Sequence, residues 1–394
     1  MSKGWPVVQL GEVLSPYQEY IESPELRPYP KLSVKLYGRG VVLDSPADGG
    51  ALKMKRHQLA RAGQVILSEI WGKKGAIGFV PPNGDGALCT SHFFLFDIRR
   101  DKLEPKWLQA IFDANYLAEQ LDVEAKGTTG YAAVRPKHLL RCEIPLPPLA
   151  EQRRIVAQIE ALAAQIQEAR SLRHQAVEEA TVFGSASLSA VFASLETIHD
   201  SSRLGDICEV VRGGSPRPAG SPVYYGGKIP FIKVGDLTKD ESKYLFEASA
   251  SVNELGRQHS RFVEAGTLML TNSGATLGVP KITTIAACFN DGSQAFLNLS
   301  PALNREFLYY FFRSKTLWLR EQLARGQGQP NLNTDMTKHM LVPVPPLPEQ
   351  RRIVAYFDDL QAKTDAVKAL QTETSAQLDA LLPSILDKAF RGEL

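Results

Sequence analysis

The chain has 394 residues and a mass of 43.4 kDa, enough for two domains of ordinary size. Apolar residues make up 44% and charged residues 22%, which suits folded cores and excludes a disordered or low-complexity chain. Lys and Arg number 45 against 43 Asp and Glu, so no global field draws a polyanion and any such partner must be met by local patches.

In chain order, the N-terminus MSKGWPVVQLGEVL lacks the long apolar run and small-residue cleavage site of a secretory signal. Residues 1–144 alternate short β-rich runs, such as 64–68, with Gly, Pro and Asn turns, and a helical stretch is expected near 105–120. Within 31–74, nine basic residues (Lys31, Lys35, Arg39, Lys53, Lys55, Arg56, Arg61, Lys73, Lys74) face three acids. Tyr37, His57 and Trp71 interleave with them. Such a window suits a surface that contacts phosphates and reaches base edges, although an ordinary solvated face has the same composition.

Prolines 145, 147 and 148 then hold the chain extended, and a helix is predicted to begin near Glu151. Ile155, Ile159, Leu162, Ile166, Ala169, Arg173, Ala176 and Ala180 follow steps of four and three, a coiled-coil seam weakened in its middle by polar residues. Gly184-Ser185 is expected to break this helix, with a short terminal helix after it.

From about 196 to 342 a second β-rich part follows, with runs such as 267–271, a helical stretch near 305–323, and loops rich in Gly, Ser and Asn at 211–227 and 271–278. Its charge is nearer balance: residues 203–281 hold ten basic and eight acidic side chains. The candidate contacts here are polar loop residues: Arg212, Arg217, Tyr224, Tyr225, Lys233, Asn272, Ser273, Thr276, Gln329 and Asn331. Amides pair with adenine edges and arginine with guanine, while plain turn chemistry would explain the same loops.

At Pro343 a repeat becomes plain. PVPPLPEQRRIVAYFDDL restates PLPPLAEQRRIVAQIEAL at an offset of 198, and the match holds to Phe192 and Phe390 without a gap. Ile353, Phe357, Leu360, Thr364, Val367, Gln371, Thr374, Leu378 and Leu381 form the second seam, with a break expected at Pro383. Weaker echoes link 8–13 with 203–207 and 61–67 with 264–270 at other offsets, so the chain is two copies of one unit with insertions between shared strands. The resulting expectation is an α+β protein in four segments: 1–144 and 196–342 globular with twisted antiparallel sheets, 145–195 and 343–394 helical. The off-seam Val156 and Val354 are candidates for docking a partner at two similar surfaces.

No catalytic constellation is found. GxxxxGK[ST], GxGxxG and HExxH are lacking, and the scrap Glu124-Ala125-Lys126 with Asp101 or Asp113 has no counterpart in the second copy. Cys89, Cys142, Cys208 and Cys288 show no CxxC spacing, which argues for free thiols in a reducing cytoplasm. No run approaches the roughly 20 apolar residues of a membrane span, so a soluble, cytoplasmic protein without metal or bound cofactor is expected.

The repeated PLPPL-x-EQRRIVA segment, its helical continuation and the terminal LLPSILDKAFRGEL resemble the specificity subunits of type I restriction–modification enzymes. The resemblance covers essentially the whole chain. It implies that the two globular parts are target-recognition domains, each reading one half of a bipartite, asymmetric site in double-stranded DNA, and that the helices pair antiparallel to set the gap. About 30 helical residues span roughly 45 Å, more than one DNA turn. It also implies a non-catalytic chain that recruits two methyltransferase subunits, using S-adenosylmethionine to methylate flipped adenines, and restriction subunits, using ATP and magnesium. Two other readings compete: a recognition fragment of a fused methyltransferase or nuclease, and a coiled-coil scaffold with no DNA role. Two departures stand out: Ala150 replaces the proline found at Pro348, and Gly130-Tyr131-Ala132-Ala133-Val134-Arg135 stands where the second copy has Gln329-Pro330-Asn331-Leu332-Asn333.

Overall fold

A computed structural model describes residues 4–22, 25–52, 56–124, 133–324 and 331–394. The chain divides into two units, Met1–Arg173 with Thr372–Leu394, and His174–Gln371. Each unit therefore combines a globular part with portions of both long helices.

In the first unit a four-stranded antiparallel sheet runs in the order Leu14–Tyr17, Phe93–Ile98, Val65–Ser68, Ile77–Phe79. The run expected at 64–68 is its third strand, and every residue of it is buried. Alternation sends Val65 and Leu67 to a core with Trp107, Ile111 and Phe112, and Ile66 to a second core with Leu32, Ala60 and Leu95. The helix expected over 105–120 instead stops as Pro105–Asp113 and resumes as Ala118–Glu124. Asn115 explains the interruption: its φ of 52° is the left-handed conformation that ends a helix and that Asn tolerates.

The second unit repeats this plan with a five-stranded sheet in the order Glu209–Arg212, Ser293–Leu297, Leu268–Thr271, Pro280–Thr283, Tyr244–Leu245. Its last pair is parallel, and a neighbouring four-stranded sheet pairs Tyr225–Ile232 with Ala287–Phe289 in parallel too. The antiparallel expectation thus holds for most pairs and gives way at these two, where connections longer than hairpins join the strands. In each unit a short ribbon closes the globular part just ahead of a long helix: Val7–Gln9 with Glu143–Pro145, and Ser201–Arg203 with Leu341–Pro343.

The long helices run Leu149–Ile198 and Leu347–Arg391 without the expected breaks. A lone Gly inside a helix costs only about 1 kcal/mol, and past Gly184 the helix buries Leu188, Phe192 and Leu195 in the second unit's core. Pro383 is exposed, so the backbone bond it removes falls where water can serve the freed carbonyl, while Leu386, Ala389 and Phe390 hold the helix onto the first core. The seam also drifts from the heptad. Val177 is shielded rather than Ala176, and Lys368 and Leu382 rather than the exposed Val367 and Leu381. From Ile166 the shielded positions 169, 173, 177, 180, 184, 188, 191 and 195 step by three, four and four, the eleven-residue period of a nearly straight helix.

Within the first unit the two helices are antiparallel, with Val156 and Ile159 beside Leu386 and Arg170 bonded to Asp379 at 2.6 Å. Within the second, Leu188 lies level with Phe357 and Leu360, again antiparallel. An 18-residue window of the first long helix reaches a mean hydropathy of 1.3, long and apolar enough by length and composition alone to cross a membrane, a test that the core helix of a soluble protein also passes.

The repeated Glu-Gln dipeptide now has a physical explanation. Gln152, wholly buried, accepts from the Glu104 amide at 2.8 Å and donates to the carbonyls of Lys102 (2.9 Å) and Pro147 (2.8 Å). Gln350 does the same with Asn304 (2.7 Å), Ala302 (2.8 Å) and Pro345 (2.7 Å). Each glutamine ties the start of a long helix to the loop that precedes the domain's own helix.

All four cysteines are free and buried. Burial lifts the thiols of Cys89, Cys142 and Cys208 to about 12 and raises that of Cys288. A disulfide reagent such as dithionitrobenzoate at pH 8 is expected to leave the native protein untouched and to titrate four thiols after denaturation. Rapid labelling of the native protein would contradict this.

Candidate nucleic-acid interface

In the first unit the basic window does not form one patch. Lys53 and Lys55 lie outside the described residues. Arg56 stacks over Tyr20 at 3.9 Å, 3.6 Å from Glu22. Tyr37, Arg39, Trp71, Lys73 and Lys74, in contrast, are brought together. The Tyr37 amide donates to the Lys74 carbonyl at 2.7 Å and the Gly38 amide to the Gly75 carbonyl at 3.0 Å, so loop 35–40 is bonded to loop 71–75. Only glycine fits at 38, where a Cβ would stand 2.1 Å from the Phe112 carbonyl oxygen. Tyr37 itself has a φ of 59°, and its ring is exposed, as is that of Trp71 on the joined loop. The Lys74 ammonium lies 5.2 Å from the Trp71 ring centroid, and Lys73 pairs with Asp122 at 3.3 Å.

In the second unit most candidates gather around Asp291. The Arg212 Nε donates to its carbonyl at 2.7 Å, the Arg217 guanidinium stands 3.5 Å from its carboxylate, and Ser215 donates to that carboxylate at 2.7 Å. The Tyr225 hydroxyl donates to the Pro216 carbonyl at 3.0 Å, and burial raises its pKa above the ordinary value. Asn272 is wholly buried. Its side-chain nitrogen donates to the Asp291 carbonyl at 3.2 Å, and its Oδ1 has no partner among the described residues. Ser273 bridges to exposed Asn331, and the Thr276 carbonyl accepts from Thr271. Lys233 stands apart, exposed before the short helix Val234–Thr238, and Gln329 lies outside the described residues.

The two clusters occupy the same place in the fold. Each is built on the residue that follows the repeated strand, Glu69 or Asn272. The amide of that residue donates to the loop before the next strand: His92 at 2.7 Å in one unit, Gly292 at 3.0 Å in the other. Its carbonyl accepts from Val134 at 2.8 Å or Leu332 at 2.7 Å. Three loops thus converge identically in backbone and differently in side chains. Among the described residues no group of three or more His, Cys, Asp or Glu could hold a metal ion.

The helical candidates are buried to different degrees. Val156, only 6% exposed, sits in the first core with Ile155 and Ile159, while Leu162 is half-buried and Ile166 buried. In the second helix Ile353 and Phe357 are buried, and Val354, Leu360 and Leu378 half-buried.

Comparison with known families decides what this duplicated scaffold is. The type I restriction modification DNA specificity domain matches residues 2–175 and again residues 199–375. The chain belongs to that family. The specificity subunit of the MjaIX type I restriction enzyme from Methanocaldococcus jannaschii is 32% identical over 170 residues, 41% of this chain and 38% of that subunit. The EcoKI specificity subunit of Escherichia coli K12 is 22% identical over 365 residues, covering 86% of this chain and 77% of its own. Among solved structures, the HsdS subunit from Thermoanaerobacter tengcongensis is 29% identical and superposes with a TM-score of 0.69, covering 100% of this chain and 98% of its own. A chain from a study of complex assembly and conformational transition of the type I R-M system is 28% identical with a TM-score of 0.72, covering 100% and 99%.

As a member of this family the chain is α+β, with two specificity domains and paired long helices. Reasoning from sequence overlooked Glu69, His92, Arg135, Ser215 and Asp291. A signal was present: the echo of 61–67 in 264–270, carried two residues further, aligns Glu69 with Asn272.

Proposed function

We propose that each unit of this type I specificity subunit reads one half of a bipartite, asymmetric DNA site. The observation that carries the reading is the pair of three-loop junctions, which share their backbone bonds and differ in every exposed side chain. A common scaffold with unlike loops reads unlike half-sites. In the first unit the contacts are Tyr37, Arg39, Trp71, Lys73 and Lys74, and in the second Arg212, Arg217, Tyr225, Ser273 and Asn331, with Asn272 supporting the loop from beneath. The long helices fix the distance between half-sites.

The chain makes and breaks no bonds itself in this reading. It would act in the cytoplasm, on chromosomal DNA, by positioning methyltransferase subunits that bring S-adenosylmethionine and restriction subunits that bring ATP and magnesium. A groove where three helices meet occurs at the same place in both units. One is lined by Lys106, Val156, Ile159 and Leu386, the other by Tyr310, Phe357, Leu360 and Leu188. Two like positions on one chain suit two copies of one partner; Val156 lines the first groove but is only 6% exposed, and Val354 packs against the second core, so neither offers much surface of its own.

Single-molecule mapping of methylated adenines in the host genome, with the gene intact and deleted, tests this. A gapped, bipartite motif that vanishes on deletion is expected. A methylome that keeps every such motif would overturn the reading.

A further inference from the structure

The junction in the first unit holds a carboxylate that the DNA-reading proposal does not use. Glu69 has a side chain only 10% exposed, yet both its oxygens are engaged: Oε1 with Arg135 Nη1 at 2.8 Å and Oε2 with His92 Nδ1 at 2.9 Å. Those partners are exposed, at 55% and 60% of their side chains. They come from two different loops that the Glu69 backbone also bonds, through the His92 carbonyl and the Val134 amide. Exposed Trp71 is two residues along the chain from Glu69, and Lys74 lies against the Trp71 ring.

We propose that Glu69 is a positioning residue that fixes Arg135 as a reader of guanine in the half-site of the first unit. The inference rests on the DNA-reading function above and names the residue and base class within it. An arginine that no partner holds in place binds phosphate as readily as a base. Backing it with a buried carboxylate changes both terms. The net charge of the pair is zero, which removes most of the counterion release that a phosphate contact would supply. The carboxylate takes the Nη1 side of a guanidinium that is otherwise 55% exposed, which restricts its swing and leaves Nε and Nη2 as the fork that would match guanine O6 and N7. His92 completes the frame, since its Nδ1 contact with the same carboxylate holds the ring beside the guanidinium. The second unit has a looser counterpart built from other residues: Asp291 occupies the corresponding loop, its carboxylate, 42% exposed, stands 3.5 Å from the Arg217 guanidinium, and its carbonyl accepts from Arg212. A carboxylate-backed arginine at the same junction in both copies, built from non-equivalent positions, is what selection for base reading would retain.

The test uses the full chain assembled with its methyltransferase subunits and a library of random-sequence duplexes. Wild type, Arg135→Ala, Glu69→Gln and the comparator Lys74→Ala are each selected on the library, and affinities for the resulting duplex are followed against salt. Arg135→Ala and Glu69→Gln are expected to lose discrimination at one guanine of one half-site by tenfold or more. The other half-site and the salt slope should be unchanged. Lys74→Ala, a phosphate contact, should weaken all duplexes alike and reduce the slope by about one. Full retention of the motif by Arg135→Ala, or a uniform loss with a reduced slope, would overturn the proposal. If Glu69→Gln melts early, Arg135→Lys decides, because it leaves the Glu69–His92 contact in place: an intact guanine preference in that variant would overturn the fork argument. Failure of wild type to select any half-site that changes with the first unit would overturn the DNA-reading function itself, a result distinct from any behaviour of the variants.

Discussion

Replacing Phe390 by alanine, four residues from the C-terminal Leu394, is expected to destabilise the first unit and leave the second unchanged. The ring packs edge-on against Trp107 and Tyr116, both at 5.4 Å between centroids, and the Trp5 indole donates to the neighbouring Ala389 carbonyl at 2.8 Å. The last turn of the second long helix is therefore core of a unit whose globular residues lie hundreds of positions earlier. Truncating a buried aromatic ring removes its transfer free energy and leaves a cavity, about 3–5 kcal/mol in sum. For a unit of this size that lowers the melting midpoint by roughly 10 °C. The reciprocal variant is Phe192→Ala. Phe192, at the matching position of the repeat, packs on Phe307 at 5.1 Å and Phe311 at 5.9 Å, so its loss should lower only the transition of the second unit. Calorimetry resolves the transitions, and fluorescence assigns them, because Trp5, Trp71 and Trp107 report the first unit and Trp318 the second. If both variants lowered the same transition, the division of the chain into these two units would be wrong.

The same exchange of segments explains what the sequence could and could not reveal. Helices are written in local periodicity, and the strand of Val65–Ser68 in a run of apolar residues between turns, so both were legible. The breaks at Gly184 and Pro383 were misread because local propensity was weighed without the packing that overrides it: Leu188, Phe192, Ala389 and Phe390 lie just beyond and are buried. The seam was misread at Ala176, Val367 and Leu381 for a related reason. Heptad and eleven-residue patterns agree over the first turns, and they part only where small and polar residues leave the apolar signal thin. The site was harder still. Basic residues are close in sequence at 31–74, but Arg56 is used in a pair with Tyr20 and Glu22 while Tyr37 and Lys74 are joined by backbone bonds. Glu69 carried no functional signal by itself, since its meaning comes from His92 and Arg135, 23 and 66 positions away.

The glutamine of the repeated Glu-Gln dipeptide gives the second large effect, and its chemistry separates a hydrogen-bonding role from a packing one. Gln152→Ala strands the Glu104 amide and the Lys102 and Pro147 carbonyls in a buried site, at about 1–3 kcal/mol for each group left without a partner. A loss of about 3 kcal/mol or more is expected in the first unit, and the same from Gln350→Ala in the second. Gln152→Glu discriminates further. A carboxylate has nearly the shape of the amide but no donor, so it would face two carbonyl oxygens with a negative charge. Burial and those dipoles raise the pKa of such a group in the folded state above its unfolded value near 4.3. The sign follows: the folded state binds the proton more tightly, so stability is retained below the unfolded pKa and lost as pH rises through the folded one. Gln152→Glu should therefore be more damaging than Gln152→Ala at pH 7.5 and recover part of that difference toward pH 5, whereas the alanine variant should show no such recovery relative to wild type. Urea titrations of both variants at the two pH values measure this. Equal losses for alanine and glutamate at both pH values would mean that Gln152 fills space at the start of the helix without tying it by hydrogen bonds.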